Sequence, residues 1–85
     1  MASITVYTTD MCPYCVRVKR LLDKRGLQYE EINLARDPEG RSALVERTGR
    51  MSFPQVIIGD TVVGGYDETA RADKTGELDQ LLAAA

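Results

Sequence analysis

The chain has no histidine, no tryptophan, one phenylalanine and only two cysteines among 85 residues. With no histidine and no second cysteine pair, a four-ligand zinc cage could be completed only with carboxylates or by pairing two chains, and no metal is expected. No stretch approaches the roughly 18 continuous apolar residues of a membrane span. The start, Met1-Ala2-Ser3-Ile4-Thr5-Val6-Tyr7, lacks the basic, then long apolar pattern of a secretory leader. A cytoplasmic location is the default expectation, with no membrane association. A basic excess is also missing. The net charge of −2 argues against a chain built to hold nucleic acid. No repeat, linker or low-complexity stretch stands out beyond the terminal alanines. One small domain over residues 1–85 is expected.

What remains is concentrated. The two cysteines form one motif, Cys12-Pro13-Tyr14-Cys15, so any cysteine chemistry happens there. Structural disulfides are rare in reducing compartments, so a C-x-x-C spacing favours redox work over a staple. Ser3 to Thr8 reads as a strand, with Ile4 and Val6 facing one way. Pro13 to Arg25 reads as a helix that places Cys15, Val18, Leu21 and Leu22 on one face, and Gly26 is a natural stop. Cys12 therefore stands at a helix N-terminus. Pro13 has no N–H to lose in the first turn. The following N–H groups and the helix-end partial charge favour a Cys12 thiolate. Cys15, one turn in and on the apolar face, stays protonated. Cys12 attacks and Cys15 resolves. Lys19 is a candidate supporting cation, because helical side chains lean toward the N-terminus. Residues 1–25 carry a net +3 and the remainder −5. That asymmetry reads either as a solvated helix face or as a field favouring a thiolate and anionic partners.

Gln28 to Leu34 reads as a second strand with Ile32 and Leu34 on one face. Asp37-Pro38 opens a helix that runs to about Thr48 and closes at Gly49. Gln55–Ile58 and Thr61–Val63 are β-branched runs joined by the hairpin turn Gly59-Asp60. Asp67 is a candidate cap for a last helix whose buried stripe is Leu78, Leu81 and Leu82, and Gly76 can bend or split that helix. The order predicts a parallel β-α-β half and an antiparallel hairpin half. Both fit one α/β, thioredoxin-like fold: a four-stranded mixed sheet with helices on both faces. Ser52-Phe53-Pro54 precedes the third strand. A cis bond there would turn the Phe53 backbone toward the cysteines, and composition does not set the isomer. Gly64-Gly65-Tyr66-Asp67 ends the fourth strand and opens the last helix. Glycines there allow close backbone approach, and a helix start offers donors to a carboxylate.

Tyr7-Thr8, Cys12-Pro13-Tyr14-Cys15, Arg50-Met51-Ser52-Phe53-Pro54-Gln55 and Gly64-Gly65-Tyr66-Asp67-Glu68 together resemble a glutaredoxin, most closely the dithiol bacterial type. The resemblance spans the chain. It implies a glutathione-dependent thiol–disulfide oxidoreductase that reduces protein disulfides and glutathione mixed disulfides. Its poise would be about −200 to −230 mV, with no tightly bound cofactor and glutathione as co-substrate. Glutathione would be held on Cys12 and flanked by Tyr14. The Phe53 backbone ahead of a cis Pro54 would pair with it, and Tyr66 and Asp67 would hold its γ-glutamyl end. Arg50 or Gln55 would assist at the rim. Disulfide-containing or glutathionylated proteins, a ribonucleotide reductase among them, are the implied partners of a monomer. Two departures stand out. Thr9 occupies a position where many members have lysine, and Phe53 replaces the commoner valine. Two alternatives follow: a redoxin resembling the mycoredoxins that uses another small thiol, and an iron–sulfur carrier bridging two chains.

Overall fold

A computed structural model describes residues 2–84. The elements are β1 (Ile4–Thr8), α1 (Pro13–Lys24), β2 (Glu30–Asn33), α2 (Pro38–Thr48), β3 (Gln55–Ile58), β4 (Thr61–Gly64), α3 (Tyr66–Thr75) and α4 (Glu77–Ala83). The sheet order is β2-β1-β3-β4. β1 and β2 are parallel, with Tyr7 opposite Ile32. β1 meets β3 antiparallel, with Val6 opposite Val56, and β3 meets β4 antiparallel. The expected mixed sheet is present, and its architecture is thioredoxin-like.

Strand alternation divides the core. On one face Ile4, Val6, Val56 and Ile58 pack with Val18 and Leu22 of α1, Ala72 of α3 and Leu78 of α4. On the other, Ile57, Tyr7 and Ile32 meet Leu34, Phe53 and Leu44 of α2. Helices thus cover both faces. Local signals set the ends. Pro13 and Pro38 occupy the first helical turn, Asp37 accepts from the Gly40 N–H at 2.9 Å, and Gly49 closes α2 at φ 73°. β2 is shorter than the expected strand at both ends, because pairing with β1 reaches only from Glu30 to Asn33.

Of two expectations about the last helix, one holds and one changes. Gly76, at φ 85°, splits it into α3 and α4. Asp67 is not the cap of α3: Gly65 is, and Glu68 reaches back to accept the Gly65 N–H at 2.7 Å. Arg25, at the end of α1, ties the split together by pairing with Asp73 of α3 and, at 2.6 Å, with Asp79 of α4.

Candidate active site

β1 delivers the chain to the edge of the sheet, and the turn after it brings Cys12 to the start of α1. Met11 in that turn has φ 53°, a left-handed conformation that costs a side-chain-bearing residue about 1–2 kcal/mol. Cys12 is the N-cap of α1, with extended φ −116° and ψ 98°. Its sulfur occupies the place of a capping oxygen and accepts the Cys15 N–H at 3.1 Å. A thiolate there would meet the same donor and the positive end of the helix. The two cysteines are disulfide-bonded, with Cα atoms 5.2 Å apart. Cys12 is half-buried, whereas Cys15 is only 2% exposed, packed on the core side of α1. One sulfur can be reached and the other is sheltered.

A groove of about 220 Å³ opens beside the motif, lined by Tyr14, Arg50, Ser52, Phe53, Pro54, Gly65, Tyr66, Asp67 and Glu68. Three separate stretches build it. α1 supplies Tyr14, the loop before β3 supplies Arg50 to Pro54, and the start of α3 supplies Gly65 to Glu68. The Tyr14 and Tyr66 rings tilt toward each other at 6.0 Å, and the Arg17 guanidinium lies 5.2 Å from the centre of the Tyr14 ring. The Phe53–Pro54 bond is cis. Gly64, at φ 126°, is needed for the close fit, since a Cβ there would stand 2.9 Å from Glu68 Cβ and Cγ, while a Cβ at Gly65 would stand 3.3 Å from Glu68 Oε1 and 3.4 Å from the Pro54 carbonyl. Glu68 Oε1 also lies 3.5 Å from Arg50 Nη2 across the groove. The Gly65 N–H, foremost, then the backbone N–H of Glu68 itself, and more weakly Arg50 hold the Glu68 carboxyl below its usual range.

Tyr14, Phe53, Pro54, Tyr66, Asp67 and Arg50, scattered in sequence, therefore share one groove. Gln55 does not join them. It is wholly buried in central strand β3, where its Nε2 donates to the Arg50 carbonyl at 2.9 Å and its Oε1 has no partner among the described residues. It tethers the loop from behind. Lys19 lines the neighbouring groove with Cys12, but its ammonium pairs with Glu31 at 3.1 Å, and Thr8 Oγ1 donates to the same carboxylate at 2.9 Å. The positive field expected around the cysteines is thus partly cancelled: Lys19 is spent on Glu31, and Arg25 on Asp73 and Asp79 at the far end of α1. Sequence reasoning named Gly65 only for close backbone approach and missed Ser52 and Glu68 as lining residues. The Gly65-x-x-Glu68 spacing was the available signal, since it is a capping box with glycine in the cap.

Comparison with known proteins agrees with this geometry. Residues 4–63 match the family model described as Glutaredoxin. The chain is 42% identical over 84 residues to a glutaredoxin of Pseudomonas aeruginosa, covering 99% of this chain and 100% of that protein. It resembles the solution structure of glutaredoxin from Brucella melitensis at 43% identity, TM-score 0.84, over 96% of this chain and 89% of that one. It also resembles the crystal structure of a buckwheat glutaredoxin–glutathione complex at 33% identity, TM-score 0.85, over 95% of this chain and 76% of that one.

Proposed function

The chain belongs to the glutaredoxin family of thiol–disulfide oxidoreductases, and we propose that Cys12 is its nucleophile and glutathione its co-substrate. The observation that carries this reading is the Cys12 sulfur. It is half-exposed, it receives the Cys15 N–H at the head of α1, and its neighbour Tyr14 lines a groove of about 220 Å³. The buckwheat neighbour was solved with glutathione, which is consistent with that use of the fold.

In the reduced protein, the Cys12 thiolate attacks the glutathionyl sulfur of a mixed disulfide. The Cys12–glutathione bond forms, the old S–S bond breaks, and the substrate leaves as a thiolate that takes up a proton. A second glutathione thiolate then attacks the bound glutathionyl sulfur. It releases glutathione disulfide and restores Cys12. With a protein disulfide, Cys12 first bonds to one protein sulfur. Cys15 then loses its proton and attacks Cys12. The substrate leaves with two thiols, and the Cys12–Cys15 disulfide remains for two glutathiones to reduce. Tyr14 and Tyr66 flank the bound thiol and shed water. The start of α3 faces its γ-glutamyl carboxylate, Asp67 faces its ammonium, and the Phe53 backbone faces its peptide. Glutathionylated proteins, disulfide proteins and a ribonucleotide reductase are the substrates in view, acted on by a monomer in the reducing cytoplasm.

The test is reduction of a glutathionylated peptide by single variants. Cys12→Ser is expected to be inactive. Cys15→Ser should keep deglutathionylation and lose reduction of protein disulfides. Full activity in Cys12→Ser would remove the assignment.

One observation favours a second reading, in which another small thiol is the reductant. Among the described residues lining the groove, Arg50 is the one cation, and it is already paired with Glu68. Thr9 adds no cation. Glutathione's two carboxylates therefore meet no unpaired cation here, and a thiol with fewer carboxylates would lose less. Turnover with glutathione against a sugar-based thiol separates the readings. Faster turnover with glutathione keeps the first, and the reverse installs the second.

A further inference from the structure

A second groove, of about 570 Å³, shares no lining residue with the tyrosine groove; α1 and β2 contribute to it, and both cysteines line it. Its rim is apolar at two points. Met11 is 100% exposed and Val16 is 45% exposed. A large side chain presented entirely to water, on a residue held in the left-handed region, is not explained by packing, since it touches no core. The remaining lining is polar. Glu31 is neutralised by Lys19 at 3.1 Å, while Asp10 receives only the Asn33 amide at 3.1 Å, which leaves the groove net negative. β2 forms its back wall and is the terminal strand of the sheet, with no strand on its outer side among the described residues. An open strand edge can accept an extended polypeptide.

We propose that this α1–β2 groove docks the polypeptide around a protein substrate's disulfide, with Met11 and Val16 gripping an apolar neighbour of the reacting cysteine and Asp10 a basic one. The glutathionyl group and the polypeptide then have separate seats that meet at the Cys12 sulfur. The occupant follows from the chemistry. Reducing a protein disulfide requires a covalent bond from Cys12 to a polypeptide sulfur, so a stretch of that chain must lie against the surface around Cys12. The surface on this side offers apolar contact and a negative charge. This rests on the thiol–disulfide activity of Cys12, and not on which small thiol regenerates it.

Stoichiometric single-turnover assays of the fully reduced protein, with no added thiol, test the docking. Three oxidants serve as probes. One is a peptide disulfide with leucine before and lysine after each cysteine, another is the same peptide with serine and glutamate there, and the last is hydroxyethyl disulfide. Met11→Ser should slow the leucine–lysine peptide about fivefold, the worth of one partly buried apolar side chain. Asp10→Asn should slow it about threefold, as expected for one partly exposed charge pair. Neither variant should alter the rate with hydroxyethyl disulfide or with the serine–glutamate peptide by more than about a third of those factors. Met11 packs against nothing, so its replacement leaves the fold intact. Equal slowing of all probes by Met11→Ser, or no slowing of any, would overturn the docking surface while leaving the oxidoreductase standing. Failure of the parent protein to reduce hydroxyethyl disulfide would remove the Cys12 chemistry and the docking surface with it.

Discussion

Gln55 carries a prediction whose sign depends on two opposed terms. Its Nε2 faces the Arg50 carbonyl at 2.9 Å, and that assignment is forced, because a carbonyl only accepts. The Oε1 is then left buried with no partner. Replacement by methionine keeps the length and unbranched shape of the side chain. It relieves one desolvated acceptor, the Oε1, but orphans another, the Arg50 carbonyl, at about 1–3 kcal/mol each, and these two roughly cancel. The lost hydrogen bond then leaves Gln55→Met about 0.5–1.5 kcal/mol less stable than the parent. Gln55→Glu costs more. It places a carboxyl group where the neighbour is itself an acceptor, so a loss of several kcal/mol is expected. The methionine also acts on function. Without the tether, the stretch from Arg50 to Phe53 is held less firmly against the groove. KM for a glutathionylated peptide should rise about three- to tenfold while kcat changes little. Urea unfolding and steady-state kinetics on the same preparations decide it. A methionine variant destabilised by more than about 2 kcal/mol with an unchanged KM would refute the reasoning.

Other substitutions probe other layers. The folded-state pKa of Glu68 is lowered, so the stability it adds is present above its unfolded value of about 4.3 and is lost as pH falls through the lower folded value. Glu68→Gln should flatten that part of the acid-unfolding profile and lower stability at neutral pH, as followed by circular dichroism. Leu22 is wholly buried between α1 and the sheet, and Leu22→Ala should cost about 2–5 kcal/mol in urea unfolding, with activity retained by the molecules that remain folded. Tyr66→Ala removes one wall of the groove, so KM for the glutathionylated peptide should rise while the alkylation rate of Cys12 stays constant.

The helices were legible because their ends are written in local chemistry. Pro13, Asp37-Pro38, Gly49 and Gly76 each act within one turn, and the structure keeps each boundary. The start of α3 was misplaced by two residues, since Asp67 is a familiar cap and Gly65 a less obvious one. Only Glu68, folded back onto the Gly65 N–H, decides between them. β2 was drawn too long because alternation of Ile32 and Leu34 continues beyond the paired residues, and pairing length depends on β1. The groove residues were legible through resemblance to a family pattern, not through periodicity. What lay beyond reach was side-chain partnership across strands and helices. The sheet order that makes β3 central buries Gln55, and β2 brings Glu31 to Lys19. Neither pairing leaves a trace in local sequence.

Catalysis at this site requires the Cys12 sulfur to be an activated thiolate once the disulfide is reduced. Rates of alkylation by iodoacetamide, measured from pH 3 to 10 with the labelled cysteine identified by mass spectrometry, address it directly. Modification of Cys12 alone, with a midpoint clearly below the free-cysteine value of about 8.5, is the predicted result. A midpoint at or above that value, with Cys15 labelled as fast as Cys12, would contradict it.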